Sequence, residues 1–276
     1  MFVFPAVAFV LFATDIPFVM NMYYSVFDWN GVGKSMKFVG LDNFIKIFTN
    51  DKLFWKGVTF TLKFAVFYVV IVNIISLTVA VVMSKEKKSS SVGRAFYYVP
   101  YIISLTAISL IWKFIFGPGF EALYNITGWE FFNWSWVGTP KLAFYVVVIM
   151  AVWQNVGFYM VNYIAGIIAV PRELTEAAKI DGAGFWRTLT SVTFPMVKGT
   201  TNVLIILGIV GSLKTFDIVK LLTNGGPGRS STVMNVYLYE KAFKDFKAGE
   251  AAAIGVSILI IAMIMSFLQV KFGKED

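Results

Sequence analysis

The side chains that could do chemistry here are few, and two classes are missing altogether. Cysteine and histidine are both absent from the 276 residues. That removes thiolate nucleophiles, imidazole bases, disulfides and the common zinc and haem ligand sets, so no metal site and no catalytic residue is assigned. What remains is a small set of polar groups inside apolar stretches. Lys214 and Asp217 stand three residues apart in one such stretch. On a continuous helix that spacing puts both on one face, where each would offset the other's charge in a medium of low polarity. Asp15, Lys63, Asn73 and Lys113 also fall within or at the ends of apolar stretches. For the two lysines, snorkelling to a headgroup region is the simpler expectation. Trp153, Gln154, Asn155, Phe158 and Asn162 gather on another stretch. Amides and rings at that spacing can bond and stack a hydroxyl-bearing solute, or they can bond across a helix pair.

The elements that must carry these residues follow from composition. The chain is 58% hydrophobic and 17% aromatic, and its mean hydropathy is +0.72, more apolar surface than a soluble core can bury. Six stretches reach the roughly 20 residues needed to cross about 30 Å of hydrocarbon: 2–27, 58–83, 96–116, 142–168, 203–222 and 251–270. The expectation is an all-α membrane protein with about six transmembrane helices, a single transmembrane domain over 1–276. The first stretch lacks a preceding basic segment and is interrupted by Asp15 and Pro17. It is too long for a signal-peptide core and has no small-residue cleavage site after it, so it is expected to be retained, with a short basic terminus lying ahead of this numbering. Leu41–Trp55 and Thr232–Phe246 read as short amphipathic helices at the outer interface.

The net charge is +8, but the lysines are spread among loops between apolar stretches, which suits anionic lipid and water rather than nucleic acid. Lys85, Lys87, Lys88 and Arg94 crowd one short connector and argue that it is cytoplasmic. Gly33-Lys34-Ser35 imitates the end of a phosphate-binding loop, yet Asp28 stands where that motif needs glycine, so no nucleotide site is encoded. The triplets Asn125-Ile126-Thr127 and Asn133-Trp134-Ser135 are glycosylation patterns of a kind common by chance.

Between Pro171 and Pro195 the hydrophobic pattern gives way to PRELTEAAKIDGAGFWRTLTSVTFP. Arg172 to Lys179 is rich in helix formers, Asp181-Gly182-Ala183-Gly184 supplies a break, and Phe185 to Val192 resumes until Pro195 is expected to stop it. The spacing Glu176-Ala177-Ala178, Asp181-Gly182, Phe194-Pro195 resembles the EAA loop of ABC importer permeases. FVGLDNF (Phe38–Phe44), YYVPYIIS (Tyr97–Ser104), VWQNVGFYM (Val152–Met160) and LKTFDIVKLLTNGGPG (Leu213–Gly228) together resemble the carbohydrate-uptake branch, and within it the sugar-contacting subunit of the maltose-importer type. One departure is Lys198-Gly199, where family members often carry a second proline.

That resemblance implies an ABC importer type I transmembrane fold and a multi-pass permease subunit in a bacterial inner or cytoplasmic membrane. It implies a second homologous permease, two ATPase subunits that bind the ATP and magnesium this chain does not, and an extracellular or periplasmic sugar-binding protein. The loop at 171–195 would be the cytoplasmic coupling element, with Glu176, Ala177, Ala178, Asp181, Gly182 and Pro195 as its signature. Glu176 is expected to pair with a basic group on the ATPase, Asp181 to cap the second short helix, and Gly182 to hold a backbone angle closed to other residues. Ala151, Gln154, Asn155, Phe158, Gly208, Gly211 and Ser212 fall at or beside places that resemble solute-facing positions of the family. Two rival readings stand beside this one. A proton-coupled carrier would titrate Asp217 and Asp15, and an ABC permease could instead serve a non-sugar solute such as glycerol phosphate.

Overall fold

The computed structural model describes residues 3–84 and 88–273. Phe2, Lys85 and Lys87, which entered the span and orientation readings, lie outside these residues. The first apolar stretch folds as α1 (Phe4–Val10), a widened π-type turn at Leu11–Asp15 and α2 (Ile16–Tyr24). A two-residue antiparallel ladder, β1 (Phe27–Asp28) with β2 (Lys37–Phe38), ties off the next loop. Next come α3 (Asp42–Thr49) and the long α4 (Lys52–Met83). The single helix expected over Leu41–Trp55 is therefore two. Asp51 is the reason: its carboxylate accepts from the amides of Leu53 and Phe54 at 3.0 and 3.1 Å. It thereby opens a new helix at Lys52, ahead of the expected Val58.

The third stretch is not straight. It consists of α5 (Lys88–Ile102), α6 (Leu105–Phe114), a π-type turn at Ile115–Gly119 and α7 (Phe120–Thr127), bent by 95° between Ile102 and Leu105. Pro100 lacks the N–H that would continue the ladder, and Ser104 is extended at ψ 129°. After the one-turn α8 (Glu130–Asn133) comes α9 (Pro140–Ile168), continuous as expected. The loop at 171–195 holds α10 (Arg172–Ile180), α11 (Phe185–Thr188), a π-type turn at Leu189–Thr193 and α12 (Phe194–Met196). Then α13 (Lys198–Leu213) departs at 64° to the segment before it. The fifth stretch also breaks, since α13 ends at Leu213 and α14 (Asp217–Leu222) starts afresh. The chain closes with α15 (Met234–Phe243) and α16 (Ala248–Gly273). Among the described residues four helical segments are long and apolar enough to span alone, and the number is six where each of the two bent pairs counts as one span.

The core lies where α4 and α9 pack together with α5 and α13 across them. Polar groups lock this pair. Tyr163 Oη donates to Asn73 Oδ1 at 2.7 Å, and Ser76 Oγ donates to the Val156 carbonyl at 3.0 Å. Within hydrocarbon no water competes for such bonds. Gly157 lets α5 lie against α9, for a Cβ there would come within 2.1 Å of the Tyr97 carbonyl oxygen.

Candidate functional site

A cavity of about 200 Å³ opens where α13 breaks off. Phe64 and Tyr68 of α4, Leu105 of α6, Ala151 and Asn155 of α9, Gly211 and Ser212 of α13, and residues 214–218 line it. Asn155 Nδ2 donates to the Ala151 carbonyl at 2.8 Å, and Ser212 Oγ donates to the Gly208 carbonyl at 2.7 Å. Each side chain is thus steadied by its own helix while bordering the cavity. A Cβ at Gly211 would meet nothing within 4 Å, so this glycine contributes open space.

The structure separates the expected solute-facing residues. Ala151, Asn155, Gly211 and Ser212 come together, whereas Gly208, Phe158 and Gln154 do not line the cavity. Gly208 is a packing residue: a Cβ there would lie 2.8 Å from Tyr159 Oη and 2.9 Å from Val69 Cγ2. Phe158 stacks on Tyr101, ring centroids 4.8 Å apart, and Gln154 is half-buried. Phe64 and Tyr68 were missed. They stack on each other at 5.5 Å, and their spacing of four on α4 was the available signal, masked because an aromatic pair in a span is ordinary core.

Lys214 and Asp217 do not share a helix face, because residues 214–216 interrupt the helix. Among the described residues no ion pair joins them. Lys214 follows the last turn of α13 and Asp217 begins α14, ends that suit a cation and an anion respectively. Asn235 of α15 sustains the break, with Nδ2 donating to the Leu213 and Thr215 carbonyls at 2.7 and 3.4 Å. Both charged residues line the cavity.

At the other end of α9 the loop at 171–195 forms a hairpin of short helices. Gly182 has φ +76°. Around it the Gly182 amide donates to Lys179 at 3.0 Å and the Ala183 amide to Ala178 at 2.8 Å, a Schellman ending for α10 that requires a left-handed residue. Asp181 is the last residue of that turn, and no side chain caps α11, whose N-cap is Gly184. Asp181 therefore closes the first helix instead of opening the second. Pro195 does not stop the second helix either. The π-type turn at Leu189–Thr193 lets the Phe194 amide reach back to the Leu189 carbonyl, absorbing the bond the proline cannot make. The bend falls at Val197. Glu176 and Ala177 are exposed and Ala178 is half-buried. Ile180 and Trp186 are 86% and 74% exposed, apolar groups that the charge-centred expectation had passed over.

The opposite end carries an ionic cluster. Glu250, 7% exposed at its side chain, accepts from Lys241 at 2.9 Å and from Lys46. Lys241 also lies 3.5 Å from Asp51 Oδ2, which accepts from the Tyr237 hydroxyl. Glu240 pairs with Arg229 and with Lys244, the latter at 3.0 Å. Burial opposes ionisation of Asp51, but the Tyr237 hydroxyl, the Phe54 and Leu53 amides and the Lys241 ammonium outweigh it and hold its carboxyl below the ordinary value. Glu240 is held low in the same way, Lys244 and Arg229 prevailing over burial.

Comparisons with known proteins support the family and the fold. Residues 72–274 match the family described as "Binding-protein-dependent transport system inner membrane component". The chain is 35% identical to the "Probable starch degradation products transport system permease protein AmyD" of Thermoanaerobacterium thermosulfurigenes, over all of this chain and 93% of that one. It is 33% identical to the "Diacetylchitobiose uptake system permease protein NgcF" of Streptomyces coelicolor, over 96% of this chain and 78% of that one. Among solved structures, a bacterial ABC transporter involved in import of the acidic polysaccharide alginate superposes with a TM-score of 0.83 at 18% identity, covering 98% of this chain and 92% of that one.

Proposed function

Since the chain belongs to the family of binding-protein-dependent transport system inner membrane components, we propose that it carries a carbohydrate through the cavity beside the α13 break, as one of two permeases set on a pair of ATPase subunits. The observation that carries this reading is that cavity. Asn155 and Ser212 supply hydroxyl-compatible polarity, Phe64 and Tyr68 supply ring faces, and Gly211 supplies room, all bordering one space. The relatives named for starch products and diacetylchitobiose support a saccharide as cargo.

In this mechanism the ATPases receive the exposed faces of α10 and α11. Glu176 pairs with a basic group, while Ile180 and Trp186 fill apolar hollows. The Schellman turn at Gly182 makes the two helices one stiff lever. ATP-driven closure moves that lever, and the 64° bend at Val197 passes the motion to α13 and so to the cavity wall. A binding protein on the outside delivers the solute, and hydrolysis returns the pathway inward.

The test is ATP hydrolysis by the assembly purified from its native membrane and reconstituted with its binding protein, across saccharides and non-sugar solutes. Stimulation by a saccharide is the expected result. Asn155→Ala should shift the half-maximal saccharide concentration, and Glu176→Ala should uncouple hydrolysis from transport in an assembly that stays folded. Asp217 also borders the cavity, which favours one alternative, a proton-coupled carrier. Solute uptake driven by a proton gradient without any ATPase would establish that alternative instead.

A further inference from the structure

A second cavity, of about 530 Å³, lies nearer the Lys52 end of α4 than the first. Its wall is basic. Lys52, Lys56 and Lys63 of α4 line it, joined by Arg229 from the loop before α15, and no carboxylate is in the lining. On α4 the three lysines stand at i, i+4 and i+11, one face of the helix running for about 16 Å. Among the described residues none of the three makes an ion pair. Arg229 pairs with Glu240, which also holds Lys244.

The lysines and Arg229 are exposed, and three further observations accompany this basic wall. Ser230 Oγ, in the lining, is buried and lacks any hydrogen-bond partner. Arg229 holds φ +65°, a left-handed conformation disfavoured for a residue with a Cβ. Phe60 lines this cavity while Phe64, one turn deeper on α4, lines the pathway cavity, so the two spaces follow one another along the same helix at a step of about 6 Å.

We infer that this basic cavity is an antechamber that receives the carboxylate or phosphate of an anionic solute before it reaches the pathway. Lysine ammonium groups and the Arg229 guanidinium supply charge-assisted bonds, and the Trp55 ring in the lining offers a face for the rest of the molecule. At the pathway cavity Lys214 meets an incoming anion beside the carboxylate of Asp217, so the excess of positive charge belongs to the outer space alone. The inference rests on the importer reading above, and it adds the charge of the cargo.

The experiment uses the assembly with its binding protein in nanodiscs, either zwitterionic or rich in phosphatidylglycerol. Stimulated ATP hydrolysis is followed with a neutral oligosaccharide, its uronate counterpart and glycerol phosphate. The expected result is that an anionic solute stimulates, and that Lys56→Gln with Lys63→Gln raises its half-maximal concentration about tenfold. The Lys56→Arg, Lys63→Arg variant should restore the response. Stimulation by glycerol phosphate with the same lysine dependence would support the antechamber while removing the carbohydrate reading. Stimulation by the neutral oligosaccharide alone would overturn the antechamber and leave the carbohydrate reading standing. If the double variant acts only in discs rich in phosphatidylglycerol, whatever the solute, the lysines serve lipid headgroups and the inference falls.

Discussion

Two glycines on neighbouring helices show how much one methyl group can decide. At Gly157 a Cβ would press within 2.1 Å of a backbone oxygen, while at Gly211 it would meet nothing within 4 Å. Gly157→Ala should therefore force α5 away from α9 and cost about 1–3 kcal/mol, read as a lower unfolding temperature of the purified protein. Gly211→Ala should leave that temperature unchanged and weaken the solute response by filling the cavity. Equal unfolding temperatures for both variants would refute the assignment of packing to one and pathway to the other. Such distinctions were illegible in sequence, where Gly157, Gly208 and Gly211 look alike. Asn155 was legible because a primary amide in an apolar span is conspicuous, and Phe64 was not because a phenylalanine there is ordinary.

At the scale of elements, two regions carry predictions. On the hairpin at 171–195, Trp186 is the largest exposed apolar group of α11, and aromatic anchors dominate protein interfaces. Trp186→Ala should reduce co-purification of the ATPase by about 2 kcal/mol of binding free energy, or roughly thirtyfold in affinity. At the end that carries the ionic cluster, Glu250→Gln removes the anion from Lys241, which is only 12% exposed and keeps Asp51 at 3.5 Å. The loss should be about 2 kcal/mol. The pH response has a definite sign. Asp51 and Glu240 are held below their ordinary values, so the stability they contribute is present above about pH 4–5 and lost as pH falls through their folded values. Burial opposes the charge on Lys241, but Glu250 and Tyr237 raise its pKa. Its contribution is therefore complete at neutral pH and fails only at strongly alkaline pH. A thermal-unfolding profile flat from about pH 6 to 9 and falling in acid is expected, and a fall that persists unchanged in Asp51→Asn would refute the assignment to this cluster.

Across the whole molecule, sidedness is the property that organises the rest. The chain has no cysteine, so single cysteines report it cleanly. Asn50→Cys, at the end with the ionic cluster, should react with an impermeant maleimide in intact cells. Glu173→Cys, on α10, should react only after permeabilisation. The reverse pattern would turn the orientation over and place the coupling hairpin outside. Hydropathy along the chain determined the membrane class, the six apolar stretches and the break at Asp181-Gly182, because bilayer thickness sets span length and a left-handed turn demands glycine locally. Only the tertiary structure decided where the third and fifth spans break, since the carbonyls freed after Leu213 are stabilised by Asn235 from another helix. It also decided which glycines pack and which open a cavity, and it joined Lys46 to Glu250 and Asp51 to Tyr237 across most of the chain. Those are contacts between distant segments, and no local property of either segment encodes its partner.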